Sequence, residues 1–354
     1  LPYYNEYKAK SQKEIKMSKQ KILVLGGTGA MGKYVVPLLS EKGYLVDVYS
    51  MDDVKSDDPN VRYFTKDCYD LDTLREILSN GYDCIIDYLI YGSETRKFVD
   101  RYKLFLENTK HYIYLSTYRI YADLEHPVKE TSPRLLDVST DYSLLATNDY
   151  CLYKAKGESL LINSEYNNFT IIRPSITFSL FRYQLCTLEA PHTVGRALNG
   201  KKVLLPIGAA DKKATLTWAG DTAKFFAAVV LNPKAYGETY SFTTHENYTW
   251  REMAEIYKDI MGLRYEFIDD EDYISIIVGE GDKRGARFQL KYDREFDRNM
   301  DNSKILALAG MKSEDMTPLR KALAYEISRI PEGYYKADDD INKRMDTYIT
   351  EKGL

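Results

Sequence analysis

Short continuous apolar runs alternate along the first half of this chain with longer stretches whose apolar residues recur at helical spacing. The segment Lys21 to Val36, KILVLGGTGAMGKYVV, opens the pattern as an apolar run, a glycine cluster and a helix-compatible run. An uninterrupted apolar run of this length suits a strand buried on both faces. A second run, Leu45-Val46-Asp47-Val48-Tyr49, follows Gly43, which is placed to end the first helix. Val61 to Phe64 reads as a short third strand, and Leu71, Leu74, Ile77 and Leu78 then fall on one helical face. Tyr82 to Tyr88 and His111 to Ser116 read as the fourth and fifth strands, with a helix over Glu94 to Glu107 between them. Strands alternating with helices at this spacing predict parallel βαβ units with right-handed crossovers, hence a doubly wound α/β sheet.

Composition narrows the classes of function. A chain of 354 residues, 44% apolar and 29% charged, is long enough for one large domain or two smaller ones. Its net charge of −4 offers no basic face to a phosphate backbone, which argues against nucleic acid as a partner. Cys68, Cys84, Cys151 and Cys186 are widely separated, as are His111, His126, His192 and His245, so no metal site is expected. No run approaches the ~18 apolar residues of a membrane span, and the first twenty residues lack a signal-peptide core. We therefore expect no membrane association and a cytoplasmic protein. Residues 1–19 read as an N-terminal extension, either native or added.

Two stretches carry chemistry. Gly26, Gly29 and Gly32 give the spacing G-x-x-G-x-x-G, which permits a tight turn and a close approach of backbone to a pyrophosphate. The phosphates would meet free N–H groups at a helix N-terminus. An acid closing the second strand would select NAD and a basic residue NADP. Here Ser50 and Met51 stand there, Asp52 or Asp53 could turn back towards a ribose, and no Lys or Arg follows before Lys55, which favours NAD with NADP still open. Asp67, after the third strand, could accept from an adenine amino group or cap the next helix. Farther on, Thr117 sits just past the fifth strand, and Tyr150 and Lys154 are four apart on a helical stretch. On one helix face the ammonium would sit beside the phenol and lower its pKa from ~10, so that the tyrosine could exchange a proton with a substrate hydroxyl or carbonyl.

The order of these features gives the chain a family resemblance. GGTGAMG, the Asp67 turn, LSTYRIYAD, the Y-x-x-x-K-x-x-x-E helix and Ile172-Arg173-Pro174 together resemble an extended short-chain dehydrogenase/reductase of the NAD-dependent epimerase/dehydratase kind. Thr217 to Ala223 and the Tyr236–Met253 region, with its Tyr248-Thr249-Trp250-Arg251-Glu252-Met253 helix start, are similar to the family's later segments. The likeness runs from about Lys21 to about Leu323.

This resemblance implies a Rossmann-type doubly wound parallel sheet over 20–175, rejoined by 215–242, with a smaller α+β substrate domain from 176–214 and 243–335. It implies Tyr150 as proton donor and acceptor, Lys154 on the nicotinamide ribose, and Thr117 as assisting hydroxyl. Gly26, Thr28, Gly29, Ala30, Met31, Gly32, Ser50 and Asp67 would hold the cofactor. Phe178 to Pro191 should line the cleft, and Tyr118, Arg119, Arg182 and Arg196, with Tyr183, are candidates to meet an anionic or polyhydroxy small-molecule substrate. Glu158 and Arg173 are expected to be structural. The resemblance also implies a homodimer through helices near 94–107 and 148–165.

Two departures matter. Sugar 4,6-dehydratases of the family carry an Asp-Glu pair directly after the threonine, whereas this chain has Tyr118 and Arg119, which disfavours that dehydration. Nucleotide-sugar epimerases usually carry an asparagine where this chain has Ile176, which puts a nucleotide-sugar substrate in question. IIRPSITFS and the later segments look closer to a divergent branch that includes chloroplast stem-loop-binding proteins. The expected activity is an NAD(P)-dependent epimerase or reductase, against an alternative of a non-catalytic dinucleotide sensor or RNA-binding scaffold. Ala219 to Leu231 should pack back on the sheet, Gly208 to Lys213 should be a polar loop, Asp301-Asn302-Ser303 should cap a helix, and the charged tail 336–354 should be solvated or disordered.

Overall fold

A computed structural model describes residues 19–92 and 97–354. Its centre is a seven-stranded sheet of β1 (Lys21–Leu25), β2 (Leu45–Ser50), β3 (Val61–Thr65), β4 (Tyr82–Asp87), β5 (Thr109–Leu115), β6 (Phe169–Pro174) and β7 (Glu238–Phe242). The spatial order is β7-β6-β5-β4-β1-β2-β3, and every neighbouring pair is parallel. Order reverses between β1 and β4, the position at which open α/β sheets form a crevice at their carboxyl ends. This is the Rossmann-type doubly wound sheet that the alternating runs predict.

Period-two alternation decides which side chains face which layer. Ile22 and Val24 of β1 join Val48, Ile86 and Ile113 on one face, packed against α1 (Gly32–Glu41) and α5 (Ala219–Val229). Leu23 and Leu25 join Ile85, Tyr112 and Tyr114 on the other face. There they meet α2 (Leu71–Leu78), α3 (Tyr102–Glu107) and, through Leu161, α4 (Tyr150–Ile162). Because both faces are covered, β1 has no room for a polar position, which is why it reads as an unbroken apolar run. The helix over Ala219 to Leu231 thus returns to the sheet as expected.

Several local expectations are corrected. Asp70, not Asp67, caps α2, its carboxylate accepting from Thr73 N at 2.7 Å; Asp67 accepts from Tyr69 N at 2.9 Å. The stretch expected as one helix over 94–107 begins outside the described residues, and from Phe98 it is a 3-10 turn followed by the six-residue α3. Val99, Tyr102, Leu136 and Leu160 line a shallow groove on the face where the resemblance implies a second copy.

The second half builds a separate apolar core around Trp250, Tyr257, Tyr273, Leu323 and Met345. Short strand pairs frame it, among them Ile176–Phe178 with Leu216–Trp218 and Val203–Pro206 with Tyr265–Ile268. Helix α6 (Trp250–Met261) starts with a capping box in which Thr249 and Glu252 satisfy each other's backbone N–H. Asp301 caps the helix Ser303–Ala309 by accepting from Ser303 N at 2.7 Å. Helix α7 (Leu319–Ser328) packs into the same core. The tail expected as a solvated or disordered run is instead α8 (Asp340–Lys352). It is held because Met345 is fully buried and Asp346 receives Arg196 at 2.6 Å and Lys201 at 2.7 Å. A charge run looks solvated until its counterions arrive from elsewhere in the chain.

His111, at the start of β5, joins three sheet-edge elements. Its Nδ1 accepts from Leu231 N at 3.1 Å, so Nε2 carries the proton and donates to Thr170 Oγ1 at 2.8 Å. Burial lowers its pKa from 6.5 to about 3. The unfolded chain therefore binds the extra proton below pH 6.5 and the folded protein does not. Stability should be fully present above 6.5 and fall by up to about 1.4 kcal/mol per pH unit as pH drops towards 3. In urea titrations between pH 7 and 4, His111→Asn should show a shallower acid-side loss than the wild type; equal slopes would refute the assignment.

Candidate functional site

The glycine turn between β1 and α1 is shaped by two steric demands. Gly26 has φ +73°, a conformation other residues rarely adopt. A Cβ on Gly32 would lie 1.9 Å from the Gly27 carbonyl oxygen, so only glycine lets the helix start so close to the strand end. Helix α1 begins with no side chain accepting from its first N–H groups and no acid in its first turn. A Cβ on Gly29 would have nothing nearer than Gly26 O at 4.0 Å, leaving that backbone open. Such a start suits an anion.

From this turn a cleft of about 520 Å³ runs across the carboxyl ends of β1, β4, β5 and β6. Gly26, Gly29, Ala30, Met31 and Gly32 form one end, and Thr117, Tyr118, Arg119, Tyr150, Lys154 and Arg182 line it farther on. Thr28 and Ser50 stand outside its lining but meet each other through Asp52. Thr28 Oγ1 donates to the Asp52 carboxylate at 2.5 Å, while Ser50 Oγ accepts from Asp52 N at 3.1 Å and Thr65 Oγ1 donates to Asp52 O at 3.2 Å. The acid absent from the last position of β2 is thus supplied by a turn two residues later. Asp67 lies beyond this turn and outside the cleft lining.

Thr117 follows β5 in extended conformation and its hydroxyl accepts from Arg119 N at 3.2 Å, which starts the 3-10 turn Tyr118–Ile120. Tyr150 is the first residue of α4, after the cap Asp149, whose carboxylate accepts from Cys151 N at 3.0 Å. One turn later Lys154, 1% exposed, donates to Leu115 O at 2.6 Å and lies 5.9 Å from the centre of the Tyr150 ring. The two do share a helix face, but the expected tuning is corrected. Burial holds the Tyr150 phenol above its ordinary pKa; Arg119, Arg182 and the nearby Thr117 hydroxyl pull it down only in part. The lysine donates to a backbone carbonyl, and the guanidinium of Arg119 lies 5.3 Å from the ring centre.

Tyr118 lines the cleft but is 4% exposed, and its hydroxyl accepts from Arg294 Nη1 at 3.0 Å. Of the segment Phe178 to Pro191, Arg182 and Gln184 reach the cleft lining while Tyr183 is buried away from it. Arg196 is a correction: fully buried, it bonds Lys202 O at 2.7 Å, Asn342 Oδ1 at 3.1 Å and Asp346 at 2.6 Å, and anchors α8. Glu158 and Arg173 form a buried ion pair with each other, with Nε to Oε1 and Nη2 to Oε2 both at 2.8 Å.

Sequence reasoning missed Tyr88, Gln289 and Arg294, all in the lining. For Arg294 a faint signal existed: Arg294 and Arg298 are four apart around Phe296, a face-forming spacing. Among the described residues no group of His, Cys, Asp and Glu side chains could hold a metal ion.

The NAD-dependent epimerase/dehydratase family model matches residues 22–242, which contain the glycine turn, Thr117, Tyr150 and Lys154. The chain belongs to this family. No individually curated protein sequence matches it. Solved structures similar to this family member include dTDP-glucose 4,6-dehydratase from Bacillus anthracis str. Ames in complex with NAD. That structure has 17% identity and a TM-score of 0.65, covering 87% of this chain and 96% of that one. UDP-glucose 4-epimerase from Thermus thermophilus, in complex with NAD, has 17% identity and a TM-score of 0.64 over 87% and 98%. UDP-glucuronic acid 4-epimerase from Bacillus cereus, in complex with UDP-glucuronic acid and NAD, has 16% identity and a TM-score of 0.65 over 87% and 98%. At these identities the likeness shows a shared fold.

Burial brings the Lys154 ammonium down from 10.5 to about 8, with Asp87 and Glu158 opposing. Between those values the unfolded chain holds a proton the folded protein has lost, so raising pH favours the folded wild type by up to about 1.4 kcal/mol per unit. Lys154→Met removes this dependence. Its urea stability relative to the wild type should therefore decline between pH 7.5 and 9.5, and a constant difference would refute the burial argument.

Proposed function

We propose that this chain is an NAD-dependent oxidoreductase that acts at a carbinol or ketone of a sugar-like substrate, as an epimerase or reductase rather than a 4,6-dehydratase. One observation carries the reading: the glycine turn with its open helix start and the Thr117, Tyr150 and Lys154 side chains line the same cleft. The residues present fit a dinucleotide, given the uncapped start of α1, the open backbone at Gly29 and the Asp52 carboxylate beside Thr28. NAD, which the family's name and the NAD complexes of similar structures support, would supply the hydride acceptor or donor that side chains lack.

The chain's own residues account for the proton. Tyr150 and Thr117 line the same cleft, and the two hydroxyls can hold one substrate oxygen between them. The Tyr150 phenol is protonated at neutral pH and is the group that would give a proton to a carbonyl oxygen in ketone reduction; the charges of Arg119 and Arg182 oppose the burial that makes it a weaker acid. Lys154 fixes the end of β5 against α4 through Leu115 O and presents a cation beneath the site. Arg119, at one of the two positions of the dehydratase acid pair, cannot act as an acid or base near neutral pH. That substitution supports hydride transfer without loss of water.

Denaturing the purified protein and identifying released nucleotide by mass spectrometry tests the reading. Stoichiometric NAD is the outcome for an epimerase that regenerates its cofactor; an empty protein that binds NADH is the outcome for a reductase. Tyr150→Phe should keep nucleotide binding while losing at least about 10²-fold in turnover, and a protein binding neither NADH nor NADPH would overturn the proposal. The Asp52 carboxylate should repel a 2′-phosphate, so wild type should prefer NADH to NADPH and Asp52→Ala should narrow that preference about tenfold. An unchanged ratio in the variant removes Asp52 from cofactor selection.

A further inference from the structure

We propose that the cleft beside Tyr150 contains an anion subsite made by Arg119 and Arg182 in the field of Arg294, and that the substrate carries a carboxylate or phosphate close to the reacting carbon. This rests on the reading of Tyr150 as the proton-transferring residue. The first ground is charge. Arg119, Lys154, Arg182 and Arg294 line the cleft, and no Asp or Glu among the described residues does. The carboxylate behind this wall, Asp293, is fully buried and shared by three guanidinium groups. It contacts Arg294 directly, Arg119 Nε at 3.3 Å and Arg298 Nε at 3.5 Å. Asp149 lies 3.7 Å from Arg119 and already accepts from Cys151 N.

The second ground is unused hydrogen-bonding capacity. Arg294 is committed to Cys186 O at 2.7 Å, Tyr118 Oη at 3.0 Å and Gln184 Oε1 at 3.2 Å, so it contributes charge from a fixed position. Arg119 differs: its approaches to Asp293 at 3.3 Å and Asp149 at 3.7 Å are ion pairs outside hydrogen-bond geometry, and its buried Nε has no acceptor within that geometry. Arg182, which also lines the cleft, donates from Nη1 to Thr177 O at 3.1 Å. Buried guanidinium donors without acceptors are costly, and a carboxylate or phosphate accepts from such forks in pairs.

The third ground is backbone geometry. Residues Leu290–Arg294 form a π turn, which continues the helix Arg284–Gln289, and both Gln289 and Arg294 reach the cleft from it. Such turns are rare and concentrate at functional sites. The subsite is also close to the chemistry, since the Arg119 guanidinium carbon is 5.3 Å from the centre of the Tyr150 ring.

Calorimetric titration with malonate and with inorganic phosphate, on protein first saturated with NADH, tests the subsite and separates the two anion types. Wild type should bind at least one of them, more weakly at higher salt. Arg119→Gln and Arg182→Gln should each weaken it at least tenfold, and Arg75→Gln, on the far surface of α2, should not. Malonate alone would mark a carboxylate-bearing substrate and phosphate alone a phosphorylated one. No binding of either anion, or binding indifferent to both variants, overturns the subsite. Failure of the wild type to bind NADH would instead count against the proposed function, and the same titrations on unloaded protein would still decide the subsite.

Discussion

The buried ion pair between Glu158 and Arg173 is the interaction on which the site's geometry depends. Glu158 lies on α4 two turns after Tyr150, and Arg173 lies on β6 just before the cleft wall at Pro174 to Ile176. Arg173 also donates to Tyr121 Oη and to Glu130 O, both at 2.8 Å, which fixes the loop following Thr117. The Glu130 carboxylate accepts in turn from Ser241 N of β7 at 2.7 Å. The helix carrying Tyr150, the loop carrying Thr117 and two sheet strands are therefore registered by one pair with almost no solvent exposure. Loss of either partner would strand a charge in the interior, a cost of about 3–5 kcal/mol. A pair so placed ties the helix carrying Tyr150 to the loop carrying Thr117 while standing outside the cleft lining itself.

Around that frame the cleft divides into two electrostatic halves. The glycine-turn half presents backbone N–H groups and a helix start, a diffuse positive field suited to a bridging anion. The other half presents guanidinium groups clustered on one buried carboxylate. Tyr150 sits between them, and its ionisation is a contest between desolvation and the charges of Arg119 and Arg182. The lysine four residues later has a mainly architectural contact with Leu115 O, even though it shares the tyrosine's helix face. Spacing sets which face a side chain occupies; packing sets which atom on that face it reaches.

The replacement of an acid pair by Tyr118 and Arg119 has a similar structural logic. Tyr118 turns inward, accepts from Arg294 and receives the Arg298 guanidinium over its ring at 5.2 Å. Arg119 then takes the cleft-facing position. Burial lowers the Arg298 pKa to about 10, with Tyr118 and Asp123 opposing the fall and Arg119 and Arg294 adding to it. An acid introduced at 119 alone would be drawn to these guanidinium groups as much as to a substrate.

Much of this protein was legible in the sequence because the relevant forces are local. The unbroken apolar run of β1 follows from burial on both faces, the glycine spacing from a turn that admits no Cβ at position 32, and the Thr249–Glu252 box from hydrogen bonds within one helical turn. Those features determined the element order, the doubly wound sheet and the position of the glycine turn. The partners of some long charged side chains were not legible, since the carboxylate that answers both Arg196 and Lys201 lies more than a hundred positions away. Arg196 and Arg294 look alike in the sequence, yet one grips α8 through Asn342 and Asp346 and the other faces the cleft from a π turn. The tail looked solvated because its charges were counted without Arg196 and Lys201, and Asp52 acquired its place beside Thr28 only when β2 was laid against β1. Sequence by itself determined the scaffold, through periodicity and sterics that act within a few residues. Tertiary structure alone decided which charges neutralise one another and which remain facing the cleft, because Coulombic and desolvation energies depend on distances in space that the order of residues does not contain.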